Sequence, residues 1–198
     1  KSLSEACSNF YKKKPSYIVA VTGTNGKTSV ANFFFQLFEL NKIRTASIGT
    51  LGIESNLFKK TTNLTSLDPL LLHKSLSELK KRGINIVVLE ASSHGLDQKR
   101  LDYINFKAAV FTNLSRDHLD YHKNMDRYLN SKLYLFNNLL NKKKFCITDK
   151  DNIFFNKLKK ICERKKININ SIGYGCGNLK ILNQKYNNDF QEIEFSYN

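Results

Sequence analysis

The chain has 198 residues, 41% of them hydrophobic and 25% charged, an ordinary globular composition with room for a large domain and a real core. The net charge is +15, but the 32 basic residues are 26 Lys and only 6 Arg, spread along the sequence without Arg–aromatic clusters. We interpret runs such as 142–144 and 157–166 as solvated faces, and expect no nucleic-acid partner. The positive field favours an anionic, phosphate-bearing substrate.

Targeting and crosslinking signals are missing from the sequence. No apolar run approaches the roughly 18 residues of a membrane helix, so we expect no membrane partner. The first residues lack the apolar region of a signal peptide, and because they do not include an initial Met we expect an excerpt of a longer chain. The four cysteines are well separated and form no CxxC pair, which favours reduced thiols and a cytoplasmic location.

Strands and helices are predicted to alternate along most of the chain. Residues 1–14 form a short amphipathic segment ending in lysines, followed by Pro15. The predicted strands cover residues 17–21, 44–51, 84–89, 108–112, 145–148 and 168–172. The predicted helices cover residues 28–40, 70–81, 125–140 and 153–165. The pattern predicts an α/β fold, with a mostly parallel sheet flanked by helices.

The last residues follow a different pattern. Residues 179–182 and 190–197 alternate between apolar and polar side chains around a turn-like Asn187-Asn188-Asp189. We interpret them as a small antiparallel β hairpin near the C-terminus, appended to the α/β core.

A glycine-rich loop links the first strand to the first long helix. Its sequence is Thr-Gly-Thr-Asn-Gly-Lys-Thr, residues 22–28. Glycines let backbone N–H groups approach phosphate oxygens, a lysine can reach the terminal phosphates, and a hydroxyl can ligate Mg²⁺. The general P-loop pattern fails at one position, where Val21 replaces the first Gly. The alternative is a glycine turn with a surface lysine, which the strand–loop–helix context disfavours. The predicted ATP-binding residues are Gly23, Thr24, Asn25, Gly26, Lys27, Thr28 and Ser29.

Three motifs in order resemble the Mur ligase family and its folylpolyglutamate synthase relatives. They are the loop at 22–28, Glu-Ala-Ser-Ser-His-Gly-Leu at 90–96, and Thr-Asn-Leu-Ser-Arg-Asp-His-Leu-Asp-Tyr-His at 112–122. The resemblance spans residues 15 to about 140 and implies that 15–198 is the family's central ATP-binding domain, incomplete at its C-terminal end. Residues 1–14 are then a lead-in from a missing preceding domain.

The resemblance implies a catalytic and metal-binding set. Lys27 would contact the phosphates of ATP, and Mg²⁺ would be held by Thr28, Glu90, His118 and a carbamylated Lys132. Glu90 follows a strand, at the same sheet edge as the loop, where a carboxylate suits Mg²⁺; it could instead cap the next turn. From the residues alone, His118 reads as a surface or packing residue and Lys132 as a surface lysine. Carbamylation needs a neutral amine, so the site must lower the pKa of Lys132.

The family's substrate contacts map onto a second set of residues. Thr65 and Ser66 stand where the family has Thr-Thr-Pro, with Ser for the second Thr and Leu67 for Pro. The same pair could instead cap the following helix, and 61–63 is an alternative register. Further contacts implied by the motif are made by Ser92, Gln98 and Arg100, whose guanidinium suits phosphate or carboxylate.

The implied function is ATP-dependent amide-bond ligation in peptidoglycan precursor synthesis, within cell wall biogenesis. A diamino acid, meso-diaminopimelate or L-lysine, would be joined to UDP-MurNAc-L-Ala-D-Glu through an acyl phosphate, with ATP and Mg²⁺. We expect the protein to be a monomer. We expect the excerpt alone to be inactive. The alternatives are another Mur ligase, a folylpolyglutamate synthase-like ligase, or a non-catalytic ATP-binding fragment.

Overall fold

A computed structural model describes residues 2–197. The helices are α1 Ser2–Phe10, α2 Lys27–Leu40, α3 Pro69–Lys81, α4 Ser93–Asp97, α5 Leu119–His122, α6 Met125–Tyr134 and α7 Phe155–Lys165. The strands are β1 Tyr17–Thr22, β2 Thr45–Gly49, β3 Gly52–Ser55, β4 Lys59–Lys60, β5 Ile86–Glu90, β6 Ala108–Phe111, β7 Phe145–Asp149, β8 Asn168–Tyr174, β9 Leu179–Tyr186 and β10 Gln191–Tyr197.

These strands form one sheet in the order β10-β9-β8-β7-β6-β1-β5-β2-β3-β4. The strands from β9 to β2 are parallel to one another. The three remaining strands pair antiparallel at the two edges, β10 at one and β3 and β4 at the other. The predicted α/β fold with a mostly parallel sheet and a C-terminal hairpin is confirmed.

Two apolar clusters cover the two faces of the sheet. Ile18 and Ala20 of β1 belong to a large cluster with side chains of α3, α4, α6 and α7. Val21 belongs to a small cluster with Ala31 of α2, against which Phe34 packs. Because successive strand residues point to opposite faces, α2 covers one face and helices α3, α4, α6 and α7 cover the opposite one. Helix α2, which begins at the phosphate loop, therefore rests directly on the central strands.

The structure departs from the predicted elements at both edges. The strand predicted for 44–51 ends at Gly49, and the chain turns back through Gly52, whose φ is 97°, into β3. The predicted hairpin, β9 and β10, joins the core as an extension of the sheet, since β9 pairs with β8 in parallel. The helix predicted for 125–140 changes to a π-helical segment over Leu135–Leu139.

Helix α1 is hydrogen-bonded to the domain that contains the sheet. The hydroxyl of Ser4 donates to the carbonyl of Lys99 at 2.8 Å, and the hydroxyl of Ser8 donates to the carbonyl of Tyr103 at 3.4 Å. Ser4 and Cys7 are buried. The division into a lead-in at 1–14 and a domain at 15–198 stays a prediction.

Candidate active site

The phosphate loop lies at the carboxyl edge of the sheet, between the end of β1 at Thr22 and the start of α2 at Lys27. Gly26 caps α2 in the left-handed conformation, with φ 81°, and no side chain is hydrogen-bonded to the first turn as a cap. The first N–H groups of a helix have no partner within it. The first turn of α2 is therefore suited to receive an anion.

The loop following β6 holds the phosphate loop in shape. Asn113 accepts hydrogen bonds from the backbone of Thr24 through its carbonyl, at 3.0 Å, and from the backbone of Asn25 through its side chain, at 2.9 Å. The hydroxyl of Thr112 donates to the carbonyl of Asn25 at 2.7 Å. The backbone N–H of Ser115 donates to the Thr24 hydroxyl at 3.0 Å. Residues far apart in sequence thus fix the loop.

Lys27 is folded back over the loop that precedes it. Its ammonium group donates to the carbonyls of Gly23, at 3.0 Å, and Thr24, at 2.8 Å. Burial lowers the pKa of Lys27, while the negative charges of Glu90 and Asp117 act to raise it. The ammonium is therefore held over the loop by two of its carbonyls.

Glu90 lies at the sheet edge of the phosphate loop, as predicted, and contacts Thr28 there. The hydroxyl of Thr28 donates to Oε2 of Glu90 at 2.9 Å. The other carboxylate oxygen, Oε1, accepts from the backbone N–H of Thr50 at 2.8 Å. Glu90 is buried at the end of β5 and faces Gly49, where an added Cβ would lie 2.1 Å from Oε1. The carboxylate is thus fixed from three sides.

Lys132 is buried, although a lysine on an amphipathic helix is normally solvent-exposed. Only 1% of it is exposed, and its amine donates to the carbonyl of Gly23 at 2.7 Å. The amine also lies 4.4 Å from the centroid of the Tyr128 ring. Burial, with the like charge of Lys27, lowers the pKa of Lys132 to about 7, against an opposing contribution from Asp117. A substantial neutral fraction follows near neutral pH.

One cavity of about 340 Å³ joins several of these groups. Lys27, His118 and Lys132 line one part of it, and Thr65 and Arg100 line another. Its further lining residues include Asn63, Leu64, Ser66, Ser92, Ser93 and His94. Members of both predicted sets therefore face a common space, although Thr28, Glu90 and Gln98 do not line it.

Part of the predicted substrate set is engaged within the protein. The hydroxyl of Ser66 donates to the carbonyl of Glu90 at 2.9 Å and accepts from the N–H of Ser92 at 2.8 Å. The hydroxyl of Ser92 caps α4 by accepting from Gly95 at 3.1 Å. Both serines thus brace the turn after β5. The helix α3 that follows Ser66 is capped by Asp68 rather than by Thr65 or Ser66.

Arg100 links two of the predicted residues. It donates to the carbonyl of Ser66 at 2.8 Å and, through Nε, to the side chain of Gln98 at 2.9 Å. Gln98 in turn donates to the hydroxyl of Tyr121 at 3.3 Å. Thr65 contacts Thr50 through their hydroxyls at 3.1 Å. Arg100 and Thr65 thus line the cavity while each is also hydrogen-bonded within the protein.

The predicted metal ligands form two groups. Thr28 and Glu90 are in contact, whereas His118 and Lys132 lie on the cavity wall. Across residues 2–197 no three His, Cys, Asp or Glu side chains gather closely enough to hold a metal ion. Ser29 is exposed on the first turn of α2, and Asn25 is exposed in the loop.

Sequence reasoning missed three residues that shape the site. Tyr128 is buried and its hydroxyl lies 3.0 Å from the Thr24 hydroxyl. Thr50 donates its backbone N–H to Glu90, and Thr112 donates its hydroxyl to a carbonyl of the loop. Thr50 and Thr112 each follow the end of a parallel strand, a signal that could have placed them at this edge. Tyr128 is four residues before Lys132, on the same face of α6, which was a usable signal.

The chain belongs to the Mur ligase family. The family model of the Mur ligase middle domain matches residues 21–198. The sequence is 49% identical over 140 residues to the UDP-N-acetylmuramoyl-L-alanyl-D-glutamate--2,6-diaminopimelate ligase of Brucella melitensis, covering 71% of this chain and 29% of that protein. It is 40% identical over 200 residues to the ligase of the same name from Rickettsia bellii, covering 99% of this chain and 42% of that protein.

Solved structures show the same fold. A structure of UDP-N-acetylmuramoyl-L-alanyl-D-glutamate--2,6-diaminopimelate ligase superposes with a TM-score of 0.82 and 30% identity, over 97% of this chain and 39% of that one. Mycobacterium tuberculosis folylpolyglutamate synthase complexed with ADP superposes with a TM-score of 0.79 at 15% identity, over 98% of this chain and 50% of that one, which shows the fold alone. The resemblance to the Mur ligase family is confirmed. The chain spans 29–42% of the length of the two curated relatives.

Proposed function

We propose that this chain is the ATP-binding part of a ligase that joins a diamino acid, by an amide bond, to UDP-MurNAc-L-Ala-D-Glu in the cytoplasm, acting as a monomer. The observation that carries the proposal is the single cavity on which Lys27 and Lys132 meet Thr65 and Arg100. The names of the relatives support diaminopimelate as the diamino acid.

The phosphate loop fits the triphosphate of ATP. The uncapped first turn of α2 offers backbone N–H groups, and the left-handed Gly26 leaves open space where a Cβ would stand. Lys27 already lies over the loop carbonyls and contacts the terminal phosphates when ATP is bound. Charge neutralisation and positioning then account for most of the catalysis of phosphoryl transfer.

The oxygen pair of Thr28 and Glu90 fits Mg²⁺. Magnesium in phosphate sites takes one or two protein oxygens and completes its shell with phosphates and water, so a large cluster of carboxylates is not needed. Bound Mg²⁺ neutralises charge on the phosphates. Thr50 and Gly49 fix the orientation of the Glu90 carboxylate from behind.

Lys132 fits the role of a carbamylated lysine. Its neutral amine adds to CO₂, forming an N–C bond and releasing one proton, and the product is an anion. Its position on the cavity wall, close to Lys27, places that negative charge beside the phosphate-binding cation. The carbamate then supports the metal side of the site, together with His118.

The reaction proceeds in two steps on the bound substrate. The D-Glu carboxylate attacks the γ-phosphate of ATP, which gives an acyl phosphate and ADP. The amine of the diamino acid attacks the acyl carbon, phosphate leaves, and the amine loses a proton. Arg100 and Thr65 hold the nucleotide-sugar end, whereas Ser66 and Ser92 keep the turn beneath it in place.

Replacement of Lys27 tests the proposal. In Lys27→Ala we expect ATP-analogue affinity of the chain to fall at least tenfold, because an unreplaced charge-assisted contact to phosphate contributes about 1.5–3 kcal/mol. Binding is measured by titration calorimetry with Mg²⁺ present. For ligation, this sequence replaces the middle domain of a full-length diaminopimelate-adding ligase, and Lys27→Ala should abolish product formation.

Lys160→Ala is the matched control, because Lys160 is an exposed lysine of α7 remote from the cavity. It should leave both affinity and ligation unchanged. Ligation near the parent level in Lys27→Ala, with a folded protein, would overturn the proposed function.

A further inference from the structure

The amino edge of the sheet, opposite the candidate active site, gathers lysines that are far apart in sequence. Strands β6, β7 and β8 are parallel and begin in register, with Ala108 beside Phe145 and Phe145 beside Asn168. The residues that lead into these strands therefore lie side by side. The basic edge, as we define it, consists of Lys107, Lys142, Lys143, Lys144, Lys165 and Lys166.

Backbone hydrogen bonds tie these lead-in residues together. The N–H of Phe145 donates to the carbonyl of Lys107 at 3.2 Å, and the N–H of Lys143 donates to the carbonyl of Lys166 at 2.8 Å. The N–H of Asn168 donates to the carbonyl of Lys144 at 2.8 Å. The lysines are thus fixed next to one another by the sheet itself.

The charge of the basic edge is not compensated within residues 2–197. None of its lysines takes part in the ion pairs there. The neighbouring carboxylate, Glu163, is paired instead with Lys159 at 3.8 Å. Contact with Lys107 lowers the pKa of Lys144, as expected for two adjacent cations. The helix dipole explains cations at the end of α7, such as Lys165, but not Lys107 and Lys144 at strand starts.

Exposed aromatic side chains stand among these lysines. Phe145, the first residue of β7, is 45% exposed, and Tyr17, the first residue of β1, is 58% exposed. The Lys107 ammonium lies 5.7 Å from the centroid of the Tyr17 ring. Aromatic rings beside lysines, whose long stems lie along apolar surface, are typical of contact with the interface of a lipid bilayer.

We propose that the basic edge binds peripherally to the surface of an anionic lipid bilayer, with Phe145 and Tyr17 at the interface. The cavity lies at the opposite edge of the sheet and stays open to solvent in this orientation. The lysines of the basic edge lack the forked guanidinium that base recognition favours, and the adjoining Arg164 donates to the side chain of Asn137 at 2.6 Å, so we favour a bilayer over nucleic acid. This departs from two predictions, that the lysine runs are solvated faces and that the chain has no membrane partner, because the fold brings separate runs together. It does not depend on the proposed function.

A tryptophan placed in the basic edge tests which surface meets the lipid. The chain has no Trp, so Phe145→Trp gives a single reporter. With vesicles of phosphatidylglycerol and phosphatidylcholine, we expect its emission to shift to the blue. Tyr186→Trp, an exposed site on β9, is the control and should not shift.

Charge removal at the basic edge tests the electrostatics. The variant carries Lys107→Gln, Lys143→Gln, Lys144→Gln and Lys166→Gln. Because each lysine near an anionic surface contributes a factor of about five, removal of four lysines should lower vesicle affinity roughly 600-fold. The control carries Lys60→Gln, Lys157→Gln, Lys160→Gln and Lys185→Gln, the same change of net charge at exposed sites elsewhere. The fold-loss of vesicle affinity in this control should be less than a tenth of that in the basic-edge variant.

Three outcomes would overturn the proposal. The first is no blue shift of Phe145→Trp with anionic vesicles, and the second is an equal loss of affinity in both lysine variants, which would reflect net charge alone. The third is tighter binding to duplex DNA than to vesicles at physiological salt, lost in the basic-edge variant, which would assign the surface to nucleic acid. Circular dichroism confirms that each variant is folded.

Discussion

The environment of Lys132 gives one lysine among 26 a distinct chemistry. It is 1% exposed, donates to the Gly23 carbonyl, and has a pKa lowered to about 7. The sequence alone favoured a surface lysine at this position, because nothing in the helical pattern marks a buried amine. Only the resemblance of the surrounding motif pointed to it. The burial that distinguishes it arises from Tyr128 and the phosphate loop, which are tertiary neighbours.

Carbamate formation at Lys132 should follow its pKa. The neutral fraction of an amine with a pKa of about 7 rises from about a tenth at pH 6 to about nine tenths at pH 8, whereas an ordinary lysine stays protonated. At constant dissolved CO₂, the carbamate signal in ¹³C NMR with labelled CO₂ should therefore increase steeply over this range. Lys132→Arg should lack the signal, and its persistence there would contradict the assignment.

His73 of α3 should make stability depend on acidity. It is 0% exposed, and neither ring nitrogen has a hydrogen-bond partner. Burial, reinforced by Lys14, lowers the pKa of His73 to about 4 from 6.5. His73 in the unfolded chain then binds a proton that it does not bind in the folded chain, so the free energy of unfolding falls as the pH drops from about 6.5 toward 4. We expect a loss of about 2 kcal/mol between pH 7 and pH 5.

Urea unfolding at the two pH values measures this loss. His73→Leu removes the titrating group, and its stability should depend much less on pH over the same window. An unchanged pH dependence in His73→Leu would assign the effect to other groups.

At the scale of elements, the phosphate loop and α2 depend on two glycines in different ways. Gly23 has φ 150°, and a Cβ there would lie 1.9 Å from the Thr112 hydroxyl oxygen. Gly26 has φ 81° but open space around it. Gly23→Ala adds overlap to backbone strain and should cost about 3 kcal/mol or more. Gly26→Ala carries only strain and should cost about 1 kcal/mol. Equal costs in urea unfolding would contradict this difference.

Element prediction succeeded where the chain has a strong apolar period. Strands such as β1 and β5 are nearly continuous apolar runs, and α3 lies close to the helix predicted for 70–81. It failed where a short segment depends on its neighbours. The two residues of β4 form a strand only by pairing with β3, and α5 has four residues. No local pattern distinguishes segments of that length from loops.

At the scale of the whole molecule, the site combines residues that only the sheet order brings together. Placing motifs after parallel strands correctly predicted that Glu90 lies at the same sheet edge as the phosphate loop, where it accepts from Thr28. The commitments of Ser66 and Ser92 to the turn could not be predicted, because a hydroxyl before a helix can serve a ligand or the backbone equally well. The basic edge likewise could not be predicted from the sequence, because its lysines become neighbours only when β6, β7 and β8 pair.

The position of β1 in the middle of the sheet also affects the order in which the chain can fold as it leaves the ribosome. Strand β1 emerges first, yet its neighbours are β5 and β6, which are made much later. The phosphate loop must wait further, for Asn113 and Ser115 to hold Thr24 and Asn25. Pairing between such distant segments is slow compared with local hairpins. Within this chain, the nucleotide-binding loop is thus synthesised before the segments that give it its shape, so a nascent chain that ends before residue 115 lacks these contacts.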